Sequence, residues 1–160
     1  MRAAARPDPV STADRLALTD LVHRYAAHVD DGLFDRAAAL FAETAELVVP
    51  NPPEHLGPTV HYRGQTGVLD ALAPLRGLTR TRHEIVGEVY ELGAGTATGR
   101  IACVAHHWTV RDGTISDAAW HVRYDDTYAL GADGWRFARR RMIPERWGDV
   151  SQHLTFDPTA

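Results

Sequence analysis

Lysine is absent from this 160-residue chain, so all 17 of its basic residues are arginine. Without lysine, a Schiff-base mechanism, pyridoxal phosphate chemistry and a lysine-containing phosphate loop are excluded. Cysteine is nearly absent as well, since Cys103 is the only one. A single cysteine excludes an internal disulfide, a cysteine-rich zinc site and a cysteine-ligated iron–sulfur cluster.

Long apolar runs are also missing from the sequence. No segment approaches the roughly 18 residues that a membrane-spanning helix needs, and the N-terminal residues lack the apolar core of a secretory signal. The net charge of −4 argues against a dedicated nucleic-acid-binding surface, because such a surface must neutralise phosphates. We therefore expect a cytoplasmic protein that binds neither membranes nor nucleic acid.

The composition is that of a single globular domain. Hydrophobic residues make up 44% of the chain and charged residues 24%, which is ordinary for a soluble domain of this length. We expect the domain at residues 11–148, after a flexible segment at residues 1–10 and before a tail at residues 149–160.

The first part of the chain has the apolar spacing of helices. Ser11 or Thr12 is a suitable N-cap, and Gly32 stands where a left-handed terminator belongs. Between these positions, apolar side chains recur at helical spacing at Leu18, Leu21, Val22, Tyr25, Ala26 and Val29. Further helices are expected at 34–41 and 64–75, and short strands at 45–49 and 59–62.

From residue 80 the apolar period changes to two, which is typical of strands. Four strands are expected, at 80–92, 96–111, 117–129 and 135–143. Helices followed by a long antiparallel meander indicate the α+β class. We expect a cone-shaped α+β barrel, in which a curved mixed, mostly antiparallel sheet packs on three N-terminal helices around an interior pocket.

Two histidines fall on strand faces that we expect to point inward. His83 alternates onto the same face as Ile85 and Val89, whereas Glu88 falls on the opposite, solvent-facing side. His107 lies on the apolar face of the next strand. Neighbouring strands would bring the two rings close together, as core histidines or as a reactive pair. Because no HxH or HxxxH spacing occurs, we expect no metal site.

Three further side chains are candidates for chemistry. Asp30 ends the first helix, where the negative end of the helix dipole raises the pKa of a carboxyl group, so it is either a base or a solvated helix terminus. Tyr25, on the apolar stripe, is either a core residue or a proton donor. In the run Arg139-Arg140-Arg141, alternation places Arg140 opposite its neighbours, so at least one of the three faces the interior or an interface.

Four motifs together resemble the SnoaL-like proteins of the nuclear-transport-factor-2-like superfamily. They are R-Y-A-A-H-V-D-D-G, T-R-H-E-I-V-G, A-H-H-W and D-G-W-R-F-A-R-R-R. The resemblance covers about residues 12–148 and implies an α+β cone fold. Within the superfamily, the pattern is nearest that of scytalone dehydratase and of hexachlorocyclohexane dehydrochlorinase.

The resemblance implies roles for particular residues. Both enzyme patterns use an Asp–His pair, which falls here on Asp30 and His83. The second histidine of the dehydratase falls on His107. An arginine and a lysine of the dehydrochlorinase fall on Arg140 and Tyr25.

The sequence also departs from the dehydratase pattern. Val29 replaces one of its tyrosines, and a second tyrosine, expected near Val49, is absent. Its R-W-G segment does recur, at residues 146–148. The resemblance therefore implies a related enzyme rather than scytalone dehydratase itself.

These observations predict a lyase of the dehydratase type that needs no metal or organic cofactor. Asp30 would orient His83, and His83 would remove a proton next to a carbonyl group. His107, Tyr25 or Arg140 would then stabilise the developing negative charge. The expected substrate is a hydrophobic cyclic molecule, polyketide-like or steroid-like. It would occupy a pocket lined by Phe34, Phe41, Val48, Trp120 and Tyr124.

Other functions remain open at this point. A cyclase or isomerase of secondary metabolism could use the same residues. A non-catalytic binding module or accessory subunit, comparable to a dioxygenase β subunit, would need the histidines only for structure. Either function is compatible with a homodimer or larger homo-oligomer, for which the outer sheet face offers Ala102, Val104, His106, His121 and Arg123.

Overall fold

The computed structural model describes residues 9–52, 55–147 and 154–155, which form an α+β cone. The helices are α1 Pro9–Asp30, α2 Phe34–Ala38 and α3 Gly64–Leu72, followed by the 3-10 helix Ala73–Gly77. The strands are β1 Phe41–Asn51, β2 His55–Arg63, β3 Arg80–Leu92, β4 Thr96–Arg111, β5 Thr114–Gly131, β6 Gly134–Trp147 and β7 Leu154–Thr155. Residues 1–8 of the predicted flexible segment, and the predicted tail apart from β7, lie outside the described residues.

The strands form one curved sheet in the order β2-β1-β6-β5-β4-β3, and β7 pairs with β5. β1 runs parallel to β6, and the other neighbouring strands are antiparallel. Asp112 and Gly113, with φ of 48° and 73°, make the two-residue turn between β4 and β5. The predicted fold class is therefore confirmed. No helix among the described residues is long and apolar enough to cross a membrane.

Helix α1 packs its predicted apolar stripe against the sheet. The six side chains of that stripe are buried: Leu18, Leu21, Val22, Tyr25, Ala26 and Val29. Within the described residues the helix starts at Pro9, before both of the predicted caps, Ser11 and Thr12.

The C-terminus of α1 is closed by the predicted glycine. Gly32 has φ of +69°, and its N–H donates to the carbonyl of Val29 at 3.1 Å. The N–H of Leu33 donates to the carbonyl of His28 at 2.8 Å, which completes a Schellman motif. This sharp end leaves Asp30 as the last helical residue.

Two predicted helices end earlier than expected. The second ends at Ala38 rather than residue 41, because Phe41 already pairs with β6 and stacks on Phe137, with ring centroids 4.8 Å apart. The third ends at Leu72 rather than residue 75, and Pro74 lies in the 3-10 helix that follows. Proline has no N–H to continue the α-helical hydrogen bonds.

A β-bulge at Val86 inverts the faces of β3 beyond that residue. Val89 is 64% exposed, whereas the side chain of Glu88 packs against α1. Glu88 accepts hydrogen bonds from Thr19 at 2.8 Å and from Tyr90 at 2.9 Å. The predicted inward position of Val89 and outward position of Glu88 are therefore wrong. The extra residue at Val86 reverses the face on which each later side chain of β3 lies.

A buried ion pair lies at the centre of the core. The guanidinium of Arg140, with no exposed surface, donates to the carboxylate of Asp126 from Nε at 2.9 Å and from Nη2 at 2.7 Å. Its carbon lies 4.2–4.5 Å from the ring centroids of Tyr25, Tyr124 and Phe137. Replacing either charged partner alone would cost about 3–5 kcal/mol, because the other charge would stay buried and unpaired.

We expect Gly99→Ala to lower the free energy of unfolding by about 1–3 kcal/mol, measured by urea denaturation. A Cβ at Gly99 would lie 2.8 Å from ring and hydroxyl atoms of Tyr128, whose hydroxyl is held by Asp126 at 2.7 Å. Gly87→Ala is the control, since its Cβ would lie an ordinary 3.7 Å from Ala102. Equal stability of the two variants would contradict this account.

Candidate active site

The end of α1 meets the start of β3 at an Asp–His pair. Oδ1 of Asp30 lies 2.7 Å from Nδ1 of His83, and Oδ2 accepts the backbone N–H of His83, also at 2.7 Å. The hydroxyl of Thr81 donates to Oδ1 at 3.0 Å. The imidazole is 8% exposed and the carboxylate 22%. Three hydrogen bonds thus fix the carboxylate against the imidazole.

The protonation state of Asp30 follows from these contacts. Burial alone would raise its pKa, but the hydrogen bonds from the side chain and backbone of His83, helped by Thr81, outweigh burial and lower the pKa below its ordinary value. The expected rise from the helix dipole is therefore wrong. Because an ionised carboxylate can only accept a hydrogen bond, Nδ1 of His83 is the donor to Oδ1 of Asp30.

His107 lies beside the pair, as predicted, on the neighbouring strand. The ring centroids of His83 and His107 are 6.1 Å apart, and the ring of Trp120 lies 6.4 Å from that of His107. Burial, together with the nearby His83, lowers the pKa of His107 to about 4. The imidazole of His107 is therefore neutral near pH 7 and has one N–H to donate.

A cavity of about 430 Å³ opens in front of the two histidines. Five residues predicted for the site line it, namely Tyr25, His83, His107, Trp120 and Tyr124. The remaining wall comes from β1, β2, α3, the 3-10 helix, β4 and β6, and includes Leu47, Val49, Asn51, Tyr62, Leu72, Leu75, Leu78, Ala105 and Met142. This wall is mostly apolar, as a pocket for a hydrophobic molecule requires.

The other predicted pocket residues do not belong to this lining. Phe34 lies under the guanidinium of Arg76, with 5.0 Å between the guanidinium carbon and the ring centroid, and Phe41 stacks in the core. Val48 falls between Leu47 and Val49, which both line the cavity. Arg140 faces the interior, as alternation allowed, but it lies behind two tyrosine rings rather than at the cavity surface.

Sequence reasoning missed several residues of the site. Thr81 precedes His83 by two positions, so alternation alone would have placed both on the same face. Asn51 and Tyr62 line the cavity from the β1–β2 hairpin, and Met142 lines it from β6. Their contribution carries no local signal, because it depends on how the curved sheet closes over α3.

The family of this chain is shown by comparison with known proteins. Residues 10–141 match the SnoaL-like domain family, and the chain therefore belongs to it. This confirms the family that the four motifs resemble. No curated protein is a significant match to the chain.

Solved structures share the fold over nearly the whole chain. A protein assigned as a scytalone dehydratase from Novosphingobium aromaticivorans is 18% identical with a TM-score of 0.76, covering 94% of this chain and 96% of that one. Type 3 hexachlorocyclohexane dehydrochlorinase from Novosphingobium barchaimii is 19% identical with a TM-score of 0.73, covering 92% and 97%. A protein of unknown function from Mycobacterium tuberculosis is 21% identical with a TM-score of 0.73, covering 99% and 83%. Such likeness establishes the common fold.

We expect Thr81→Val to raise the pKa of Asp30, because the hydroxyl that donates to Oδ1 is removed. A carbon-13 NMR titration of the Asp30 carboxyl group measures the change. Thr81→Ser keeps the hydroxyl and should preserve the low pKa. Thr79→Val is the control, since Thr79 accepts from the N–H of Val110 and does not contact the pair. An unchanged Asp30 titration in Thr81→Val would contradict the assignment.

The lowered pKa of His107 predicts a loss of stability in acid. Between pH 6.5 and about 4, the unfolded chain binds a proton at this residue and the folded chain does not. The free energy of unfolding therefore falls over this window by up to about 3 kcal/mol. Urea denaturation at several pH values should show a shallower decline for His107→Asn than for the control His55→Asn, whose side chain is exposed. Identical pH dependence in both variants would refute the prediction.

Proposed function

We propose that this SnoaL-like protein is a lyase of the dehydratase type that needs no cofactor and acts on a hydrophobic cyclic small molecule. The observation that carries the proposal is the hydrogen bond between Asp30 and His83, at 2.7 Å, on a ring that lines an apolar cavity. An imidazole with Nδ1 held by a carboxylate and Nε2 free is suited to act as a general base.

The proposed reaction is the loss of water from a β-hydroxy ketone. Nε2 of His83 takes the proton from the carbon next to the carbonyl group, and the electron pair of that C–H bond moves toward the carbonyl oxygen. The enolate then forms a C=C bond as the C–O bond to the hydroxyl group breaks. The imidazolium of His83 returns its proton to the departing oxygen, so the products are an enone and water.

The walls of the cavity are suited to stabilise the enolate. Neutral His107 has one N–H, and burial raises the pKa of the Tyr25 and Tyr124 phenols, so both keep their protons near pH 7. A neutral donor aimed at a developing oxyanion lowers the barrier without a change of protonation state. We assign Arg140 to support the two tyrosine rings from behind, since it does not reach the cavity.

The same proton abstraction also begins an isomerisation. If the substrate is instead a β,γ-unsaturated ketone, the dienolate takes the proton back at the γ carbon, so the double bond moves into conjugation and no water is lost. The geometry of the Asp30–His83 pair serves both outcomes. Product analysis therefore separates them: an elimination loses one oxygen atom from the substrate, whereas an isomerisation conserves its mass.

We also propose that two copies of the chain associate through the outer face of the sheet. This face carries Ala102 and Val104, half-buried in the isolated chain, beside exposed His121. Arg123 on the same face pairs with Asp125 at 2.9 Å and Glu145 at 3.1 Å. His106, paired with Asp117 at 2.7 Å, also lies there and faces away from the cavity. Light scattering of the intact protein measures the mass directly.

We expect His83→Ala and Asp30→Asn each to reduce turnover by about 10²–10⁴-fold, because the base and its orienting partner are lost. The probe substrates are 3-hydroxycyclohexanone and its benzo-fused analogue, 3-hydroxy-1-tetralone, with ultraviolet absorbance reporting the conjugated product. Asp31→Asn is the matched control, since it removes the neighbouring exposed carboxylate.

A second measurement reads the pair without turnover. Nitrogen-15 NMR of the His83 ring should show the Nδ1–H tautomer in the wild type and a shifted tautomer population in Asp30→Asn, with Asp31→Asn unchanged. Full turnover in both Asp30→Asn and His83→Ala would show that the pair is not the catalytic group.

A further inference from the structure

The cavity beside the two histidines has no charged side chain in its described wall. Its lining residues are apolar, aromatic or neutral polar, and none is an aspartate, glutamate or arginine. Its two histidines offer no permanent cation either. The low pKa of His107 keeps that ring uncharged near neutral pH, and Nδ1 of His83 is already engaged by a carboxylate.

Two charged residues, Asp30 and Arg140, contact wall residues from behind, and both are already paired. Asp30 receives three hydrogen bonds, two of them from His83. Arg140 has no exposed surface, and its guanidinium is held by Asp126 through two hydrogen bonds of 2.9 and 2.7 Å. A carboxylate in the cavity would therefore meet no permanent cation in the described wall, and it would be repelled by the anionic Asp30.

We infer that this cavity takes uncharged ring-containing molecules and rejects carboxylates and phosphates. Burying an ionised group in an apolar site without a partner costs several kcal/mol, whereas an amide or ketone of the same shape needs only hydrogen bonds. Such bonds are available from the side chains of Asn51 and of the three tyrosines in the cavity wall, Tyr25, Tyr62 and Tyr124. That the occupant is a substrate rests on the proposed function; its lack of charge rests on the wall alone.

The inference also constrains the reaction that precedes this protein in a sequence. A molecule synthesised as a carboxylic acid has to be converted to an ester, amide, lactone or neutral ketone before it enters the cavity. The preceding reaction would therefore either convert a carboxylate to a neutral group or yield a product that carries no carboxylate.

Isothermal titration calorimetry with the whole protein, near neutral pH, tests the inference. The probes are 2-naphthamide and 2-naphthoate, which have the same shape and differ in charge, with benzamide and benzoate as a smaller pair. We expect an amide to bind and its carboxylate to bind about 100-fold more weakly or not at all. Comparable affinities within a pair, or no binding by either amide, would overturn the inference.

A designed cation provides the converse test. Asn51 is the last residue of β1, exposed at the wall of the cavity and outside the Asp–His pair. Asn51→Arg places a guanidinium there, and we expect it to raise the affinity for 2-naphthoate at least about tenfold. Asn51→Gln is the matched control and should keep the preference of the wild type for the amide. Equal naphthoate affinity in the two variants would show that missing charge is not the cause of rejection.

These binding measurements are independent of turnover. A protein that prefers amides but converts no hydroxy ketone would refute the proposed lyase and leave the inference about charge intact. A protein that converts hydroxy ketones but binds carboxylates as well as amides would support the proposed lyase and overturn the inference about charge.

Discussion

The buried ion pair between Arg140 and Asp126 supports both the core and one wall of the cavity. It joins β6 to β5 where no water can solvate either charge, and its guanidinium lies against the rings of Tyr25 and Tyr124. Both rings also line the cavity. Separating the two buried charges would cost several kcal/mol, so the pair holds β5 and β6 together and fixes the guanidinium on which the Tyr25 and Tyr124 rings pack.

The same principle governs the Asp–His pair at the other side of the cavity. Asp30 sits at the end of α1, where the turn at Gly32 stops the helix, and its carboxylate is satisfied entirely by β3, through Thr81 and His83. The helix end and the strand are thus joined by charge-assisted hydrogen bonds. The Asp30 carboxylate that packs the end of α1 against β3 therefore also orients the ring of His83, the proposed base.

Among the described residues, the charged side chains that contact the cavity wall, Asp30 and Arg140, lie behind its surface. The cavity itself presents rings, aliphatic groups and neutral donors, and an apolar wall of this kind strengthens electrostatic interactions. In such a setting, a proton abstraction that creates an enolate and an imidazolium has both new charges stabilised by groups already in position. An occupant with its own negative charge has no such compensation, which links the proposed chemistry to the proposed neutrality of the ligand.

Local patterns in the sequence determined the fold class, the apolar stripe of α1, the bounds of β3 and β4, the inward direction of His83 and His107, and the interior position of Arg140. These follow from period and alternation within one element. Only the tertiary structure decided the bulge at Val86, the depressed pKa of Asp30 and the true lining of the cavity. Each of these depends on contacts between residues that are distant in the chain, and local sequence patterns do not predict such contacts.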